Sequence, residues 1–253
     1  MLKQLIKKYT NSLLTKFNYR FQNLKNEEIN QFSKEDKLIV DLYARYSMTS
    51  DLRRCALLKA FHYIKDNNIQ GDFVECGVWE GGNIMTLCHL NDIYKTNKMI
   101  YGYDTFQGMP EPTKHDIKSD GTIANNKFEK FKDEKNFSNW DRCSIDKVNE
   151  NFNKYNLNMS TLNLTKGKVE ETLLNKNDLP KKISLLRLDT DFYESTKIEL
   201  EILYPLLSKN GVLIIDDYGA WQGAKKATDE YFKNETIWMD YIDQDCRLII
   251  KKN

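Results

Sequence analysis

Four aspartates stand at the ends of two apolar segments of the sequence. Asp189 and Asp191 follow the segment ISLLRL, and Asp216 and Asp217 follow the segment GVLII further along the chain. Each apolar segment precedes a helical pattern, which predicts buried strands of a parallel sheet. Because the carboxyl ends of neighbouring parallel strands meet at one edge of a sheet, we expect Asp189, Asp216 and Asp217 to lie close together.

Three carboxylates at such close range would repel one another and raise one another's pKa. A hard divalent cation removes this repulsion, and carboxylate oxygens are ligands that magnesium, calcium and manganese prefer. Capping of the following helices would explain any single aspartate, but hardly the Asp216–Asp217 pair together with Asp189. The residues therefore favour a metal site, and Mg²⁺ or Mn²⁺ is the expected ion.

A glycine-rich loop, CGVWEGG, follows the first predicted strand, DFVEC. Gly77 and Gly81 allow the backbone to turn sharply and to approach a ligand closely, although a ligand-free tight turn would need the same residues. Glu75 at the strand end suits a ligand that carries an ammonium group. Asp104 ends the next strand, YGYD, where nucleoside-binding folds place an acid on ribose hydroxyls. The ligand that fits both acids is S-adenosylmethionine.

The order of the predicted elements indicates an α/β fold. From Gly71 onwards, short apolar strands alternate with helices, which predicts a parallel sheet covered on both faces. Residues 236–242 and 245–251 are able to pair as a terminal hairpin. Residues 1–45 are predicted to form an N-terminal helical extension. Its apolar face would pack on its own domain or on a partner subunit of a dimer, or attach to a membrane surface. Residues 46–253 form the main domain, with a polar insertion at about 108–158 that predicts a lid or substrate-binding segment.

The composition excludes several classes of protein. The chain has 253 residues, of which 40% are hydrophobic and 30% charged, with a formal net charge of +1. Such a charge gives no general attraction to nucleic acid. Five cysteines without paired spacing indicate reduced thiols. No apolar segment approaches the roughly 20 residues of a membrane span. Together these features predict a cytoplasmic protein without a membrane span.

Four blocks of the sequence resemble a known family when taken in order: FVECGVWEGG, YDTFQGMPEPT, LLRLDTDFYEST and GVLIIDDYGAWQGAKKATDEYF. They are similar to the metal-dependent O-methyltransferases that act on antibiotic sugars, the macrocin and novobiocin type (TylF-like), over about residues 45 to 235. The resemblance implies a class I methyltransferase fold. This fold is Rossmann-like, with a doubly wound, mostly parallel seven-stranded sheet and a C-terminal antiparallel strand.

The resemblance also implies roles for individual residues. The metal ligands would be Asp189, Asp216 and Asp217, and Asp191 would be the general base. Apart from the resemblance, His115 in the insertion is an alternative base, because a histidine in a lid can take up a proton. The residues implied for binding S-adenosylmethionine are Thr49 and Ser50 near its methionine end, Lys168 and Val169 near its adenine, and Glu75, Gly77, Gly81 and Asp104.

The reaction implied by the resemblance moves a methyl group from S-adenosylmethionine to a sugar hydroxyl. The expected acceptor is a small-molecule sugar, either nucleotide-activated or a glycan precursor for surface polysaccharide. A catechol-like phenol is an alternative acceptor. Asp189-Thr190-Asp191 is also a D-x-D sequence, so a metal-dependent glycosyltransferase is the rival enzyme class. A non-catalytic binding protein on the same fold is the third possibility.

Overall fold

A computed structural model describes residues 31–134 and 137–252. The larger part of the predicted N-terminal extension, before residue 31, lies outside the described residues. Within them, helix α1 (Lys34–Tyr43) begins at Ser33, whose side chain accepts a hydrogen bond from the Asp36 N–H. Ile39, Val40 and Tyr43 on this helix are buried, so its apolar face packs on the main domain.

The sheet contains seven strands, which are β1 (Asp72–Cys76), β2 (Ile100–Asp104), β3 (Leu162–Lys166), β4 (Ile183–Leu188), β5 (Leu207–Ile215), β6 (Met239–Tyr241) and β7 (Arg247–Ile250). Their order is β3-β2-β1-β4-β5-β7-β6. The first five pair in parallel, whereas β7 pairs antiparallel with both β5 and β6. The predicted fold class and the predicted terminal hairpin are therefore confirmed.

The longer helices after α1 are α2 (Asp51–Asp66), α3 (Gly82–Ile93), α4 (Ala124–Phe131), α5 (Ile145–Lys154), α7 (Tyr193–Leu203) and α8 (Gln222–Phe232), and α6 (Val169–Thr172) is a single turn. Helix α7 ends at Leu203. A short 3₁₀ turn containing Pro205 follows it. Proline lacks the N–H that an α-helix requires, which accounts for the end of the helix at this point.

Helices cover both faces of the sheet. Successive residues of a strand point to opposite faces, so each central strand contacts both layers of helices. In β4, Leu185 packs in one buried cluster with Phe61 of α2 and Ile84 of α3. The next residue, Leu186, packs in a second cluster with Leu200 of α7. The two layers of helices therefore explain why the central strands carry apolar residues on both faces.

The chain changes direction in the sheet between β1 and β4. Strand β1 leads outwards to β2 and β3, and the chain then returns to place β4 on the other side of β1. Cys76 is the register partner of Leu188, and Leu188 is the partner of Ile215. The residues that follow β1, β4 and β5 therefore meet at one point on the carboxyl edge of the sheet.

The insertion at about 108–158 packs over this edge. It contains α4 and α5, and Lys118 forms an antiparallel bridge with Trp221 of the main domain. Trp140 of the insertion is buried in a small apolar cluster with Phe192 and Trp221. The insertion thus forms a wall of packed residues above the carboxyl ends of β4 and β5.

The cysteines and the helices bear on two further expectations, reduced thiols and no membrane span. All five cysteines are buried free thiols, in agreement with the reduced state that the sequence predicts. No helix among the described residues combines the length and apolar character needed to cross a bilayer.

Candidate active site

Three carboxylates converge beyond the ends of β4 and β5. Asp189, Asp191 and Asp217 each offer one oxygen, and the three oxygens lie within 4.8 Å of one another. Asp191 reaches this position with a left-handed backbone, φ +67°. The hydroxyl of the intervening Thr190 donates to the buried Glu199 of α7 at 2.9 Å, which fixes the loop between the first two aspartates.

The electrostatics of this cluster favour a bound cation. Burial, followed by repulsion from Asp216, raises the pKa of Asp189 to about 6. Burial, followed by repulsion from Asp189, raises the pKa of Asp191 to about 7. The pKa of Asp217 is also raised, by burial and then by Asp191. Oδ2 of Asp217 is buried and has no hydrogen-bond partner among the described residues. The donor set and its unmatched oxygen fit a hard divalent cation.

Asp216, an expected metal ligand, is not part of this group of three. Its Oδ1 accepts a hydrogen bond from Arg187 and its Oδ2 one from Arg53, each at 2.6 Å. Consecutive side chains at a strand end point in different directions, so Asp216 and Asp217 have different neighbours. The structure brings Asp191 into the cluster at the place where the sequence predicted Asp216.

Arg187 is the centre of a buried ionic network beneath the aspartates. Its side chain is 2% exposed, and it donates to Glu75 at 2.6 Å and to Asp189 at 2.8 Å. It also donates to the Thr49 hydroxyl at 2.9 Å and to Asp216. The sequence analysis missed this residue. The available signal was an arginine inside the apolar segment ISLLRL, because a buried cation requires carboxylate partners.

Arg53 of α2 provides a second cation at the edge of the site. Its guanidinium donates to Asp243 at 2.8 Å and to Asp245 at 2.7 Å, in addition to Asp216. Asp243 and Asp245 lie in the turn between β6 and β7. Arg53 therefore ties α2 and the terminal hairpin to the end of β5. Helical spacing alone gave no signal for this role.

A cavity of about 350 Å³ lies over the carboxyl edge of the sheet, within the size range of ligand sites. The insertion, the loops after β1 and β3, and the acidic cluster all contribute to its wall. Eight of the expected site residues line it: Gly77, Asp104, Lys168, Val169, Asp189, Asp191, Asp216 and Asp217.

Gly77 and Asp104 shape the loop on the cofactor side of the cavity. Gly77 has φ +85°, and a Cβ atom there would lie 1.9 Å from the carbonyl oxygen of Asp189. Asp104 accepts hydrogen bonds from the N–H groups of Val78, at 2.7 Å, and Trp79, at 3.0 Å. The acid therefore organises the glycine loop, and Asp104 also lines the cavity.

Five expected site residues do not contribute to the cavity wall of the described chain. Glu75 and Thr49 are buried beside Arg187, and Oε2 of Glu75 has no hydrogen-bond partner in the described part of the chain. Ser50 caps α2, and its hydroxyl donates to Asp243. The two remaining residues are Gly81, which packs against Phe152, and His115, whose ring centroid lies 4.9 Å from that of Tyr193.

Comparison with known proteins places the chain in a family. The profile of the macrocin O-methyltransferase (TylF) family matches residues 5–250. The chain belongs to this family. The resemblance based on four sequence blocks is thereby confirmed, and it extends beyond the region that those blocks cover.

Two relatives of this TylF-family chain act on antibiotics by name. Demethyldecarbamoylnovobiocin O-methyltransferase of Streptomyces niveus is 31% identical over 65% of this chain and 59% of its own length. Mycinamicin III 3''-O-methyltransferase of Micromonospora griseorubida is 27% identical over 71% of this chain and 67% of its own length. The match therefore spans less than two thirds of the first relative. The solved structure of the O-methyltransferase NovP superposes with a TM-score of 0.71 at 26% identity, over 82% of this chain and 83% of NovP.

The raised pKa values predict how the stability of the metal-free protein depends on pH. Burial raises the pKa of Glu75 to about 7, and Asp189 and Asp191 titrate at about 6 and about 7. The folded state thus retains protons that the unfolded chain loses near pH 4. This stabilisation is present below about pH 4 and is lost as the pH rises through about 6 to 7.

We therefore expect the unfolding temperature in EDTA to fall between about pH 5 and pH 8. Calorimetric scans across this range measure the effect. Mg²⁺ should raise the unfolding temperature more at pH 8 than at pH 5, because protons compete with the ion for the carboxylates. An unfolding temperature that rises with pH in EDTA would contradict the expectation.

Proposed function

We propose that this TylF-family chain is a metal-dependent O-methyltransferase that moves a methyl group from S-adenosylmethionine to a sugar hydroxyl. The observation that supports the proposal best is one cavity lined both by Gly77 and Asp104 and by the cluster of Asp189, Asp191 and Asp217. A nucleoside-binding loop and a cation site that share one cavity are what methyl transfer to a chelating acceptor requires. The relatives named above are O-methyltransferases by name.

The residues present fit S-adenosylmethionine on one side of the cavity. Oδ1 of Asp104, at the end of β2, accepts one short hydrogen bond, from the Phe106 N–H at 2.6 Å, and so keeps acceptor capacity for a ribose hydroxyl. Both lone pairs of Oδ2 are taken by N–H groups of the glycine loop. Lys168 and Val169, just after β3, would border the adenine. Bound there, S-adenosylmethionine supplies a methyl group already activated by its sulfonium centre.

Asp189 and Asp217 would hold the cation. A divalent ion at this position would lower the pKa of a neighbouring sugar hydroxyl and hold the acceptor in place. Asp216 would act indirectly, because its salt bridges to Arg53 and Arg187 orient the end of β5. Arg187 in turn holds Asp189 in position.

Asp191 is the better of the two predicted bases. It lines the cavity beside Asp189 and Asp217, where the acceptor hydroxyl would lie, and burial followed by repulsion from Asp189 raises its pKa to about 7 in the metal-free protein. His115 packs against Tyr193 and does not contribute to the cavity wall of the described chain. We therefore assign proton removal from the acceptor hydroxyl to Asp191.

The first experiment is a calorimetric titration of S-adenosylmethionine into the purified protein. We expect micromolar binding. Asp104→Asn should weaken it about 10- to 100-fold, because hydrogen bonds between the ribose and a charged acceptor would be lost. Asp72→Asn is the matched control. Asp72 begins the neighbouring strand, accepts a hydrogen bond from the Met99 N–H, and does not border the cavity.

The titration also separates the rival enzyme classes. No binding of S-adenosylmethionine by the native protein, with or without Mg²⁺, would contradict the methyltransferase and leave the D-x-D glycosyltransferase as the hypothesis to test. Once binding is established, release of S-adenosylhomocysteine with nucleotide-sugars or with catechol as acceptor distinguishes the two acceptor classes.

A further inference from the structure

Two lysines of the insertion, Lys118 and Lys127, line the same cavity as the acidic cluster. Lys118 precedes a tight turn that ends at Thr122, and Lys127 lies in the middle of α4. Neither residue belongs to the cofactor loop or to the aspartate cluster, so the proposed methyl transfer leaves them without a role. Both lysines share the cavity wall with Asp191, the proposed base.

Buried tryptophans support both ammonium groups. Nζ of Lys127 lies 3.7 Å from the ring centroid of Trp140, and Nζ of Lys118 lies 5.8 Å from that of Trp221. The two indole rings are in contact with each other, with centroids 5.8 Å apart. Cation–π contacts of this kind hold a lysine in place without neutralising its charge.

The backbone of this region is also fixed. Lys118 N–H donates to the Thr122 carbonyl, and Ser119 N–H donates to the Ala220 carbonyl, each at 2.8 Å. Gln222 N–H donates to the Ile117 carbonyl at 2.9 Å. The segment that carries Lys118 is therefore joined to the start of α8, and it does not move independently of the main domain.

Within the described parts of the chain, neither ammonium group has a carboxylate oxygen within 4.0 Å or donates a hydrogen bond. Other exposed lysines differ in this respect. Lys225 and Lys226 on α8 pair with Asp229 and Glu230 one turn later. Asp141 on the cavity wall attracts both cavity lysines, but from beyond 4.0 Å. Both of these ammonium groups are therefore available to an anionic group of the ligand.

We propose that Lys118 and Lys127 bind the phosphate groups of the acceptor, and that the acceptor is a sugar linked to a diphosphate, as in a nucleotide-sugar. This inference rests on the proposed function, because it assigns the acceptor of the same site. Lysine binds phosphate as a mobile point charge, and two lysines match the charge of a diphosphate.

The test is calorimetry with three probes, UDP-glucose, dTDP-glucose and GDP-mannose, carried out in EDTA so that binding through a cation is excluded. At least one probe should bind the native protein. We expect Lys127→Met and Lys118→Met each to raise its dissociation constant about tenfold. Methionine keeps most of the apolar stem that packs on the indole rings and removes only the charge. Raising the salt concentration should weaken binding to the native protein more than to either variant.

Lys130→Met is the matched control. Lys130 lies on the same helix as Lys127, and it is exposed and outside the cavity wall. Equal affinities in the native protein and both cavity variants would overturn the proposal, as would binding of S-adenosylmethionine without binding of any nucleotide-sugar. Either result would leave the methyltransferase function intact, whereas a protein that does not bind S-adenosylmethionine would contradict that function itself.

Discussion

Replacing Arg187 by methionine is expected to lower the free energy of unfolding by about 3–5 kcal/mol. Arg187 is 2% exposed and is the shared partner of Glu75, Asp189 and Asp216. Glu75 is also 2% exposed, and Asn83 would be its one remaining hydrogen-bond donor among the described residues. The loss comes from leaving a buried carboxylate without its cation, since the intact ion pair itself contributes little net free energy.

Denaturant titration in EDTA measures this change, and a double variant separates its cause. Arg187→Met combined with Glu75→Gln should recover part of the loss, because a neutral amide costs less to bury than a carboxylate. Lowering the pH towards 5 should rescue the single variant for the same reason, since Glu75 would then be protonated. A loss below about 1 kcal/mol in the single variant would mean that the network does not stabilise the fold.

Asp191→Asn is expected to lower kcat by about 10²- to 10⁴-fold, the usual effect of removing a general base. The affinity for S-adenosylmethionine should stay unchanged, because Asp191 is not among the residues proposed to bind the cofactor. The measurement is the release of S-adenosylhomocysteine with the acceptor identified by screening. His115→Gln should retain most of the activity, since His115 lies outside the cavity wall of the described residues.

Asp217→Asn separates the role of a base from that of a metal ligand. Its carboxylate oxygen Oδ2 is buried and unpartnered within the described structure, which suits an ion. We expect this variant to need a higher Mg²⁺ concentration for half-maximal activity, whereas Asp191→Asn should keep the native requirement. If excess Mg²⁺ restored the activity of Asp191→Asn, Asp191 would be a ligand, and its assignment as the base would be wrong.

The sequence by itself predicted the fold class and the edge of the sheet at which the site lies. The central strands β1, β4 and β5 each contain a short apolar segment, and the residues directly after them are Gly77, Asp189 and Asp216. Local signals of this kind survive in a single sequence because strand burial and turn geometry depend mainly on neighbouring residues. The family followed from four blocks in order, and the family profile confirmed it.

Only the tertiary structure decided which charges face each other. Arg187 and Arg53 reach Asp216 across 29 and 163 positions of the chain, distances over which no periodic pattern extends. Their contacts separate Asp216 from the cluster of Asp189, Asp191 and Asp217. The pairing of Lys118 and Lys127 with two tryptophans likewise depends on how the insertion packs. The acidic residues of the candidate site are visible in the sequence. Which of them pair with buried arginines, and which remain free for an ion or a proton, depends on the folded chain.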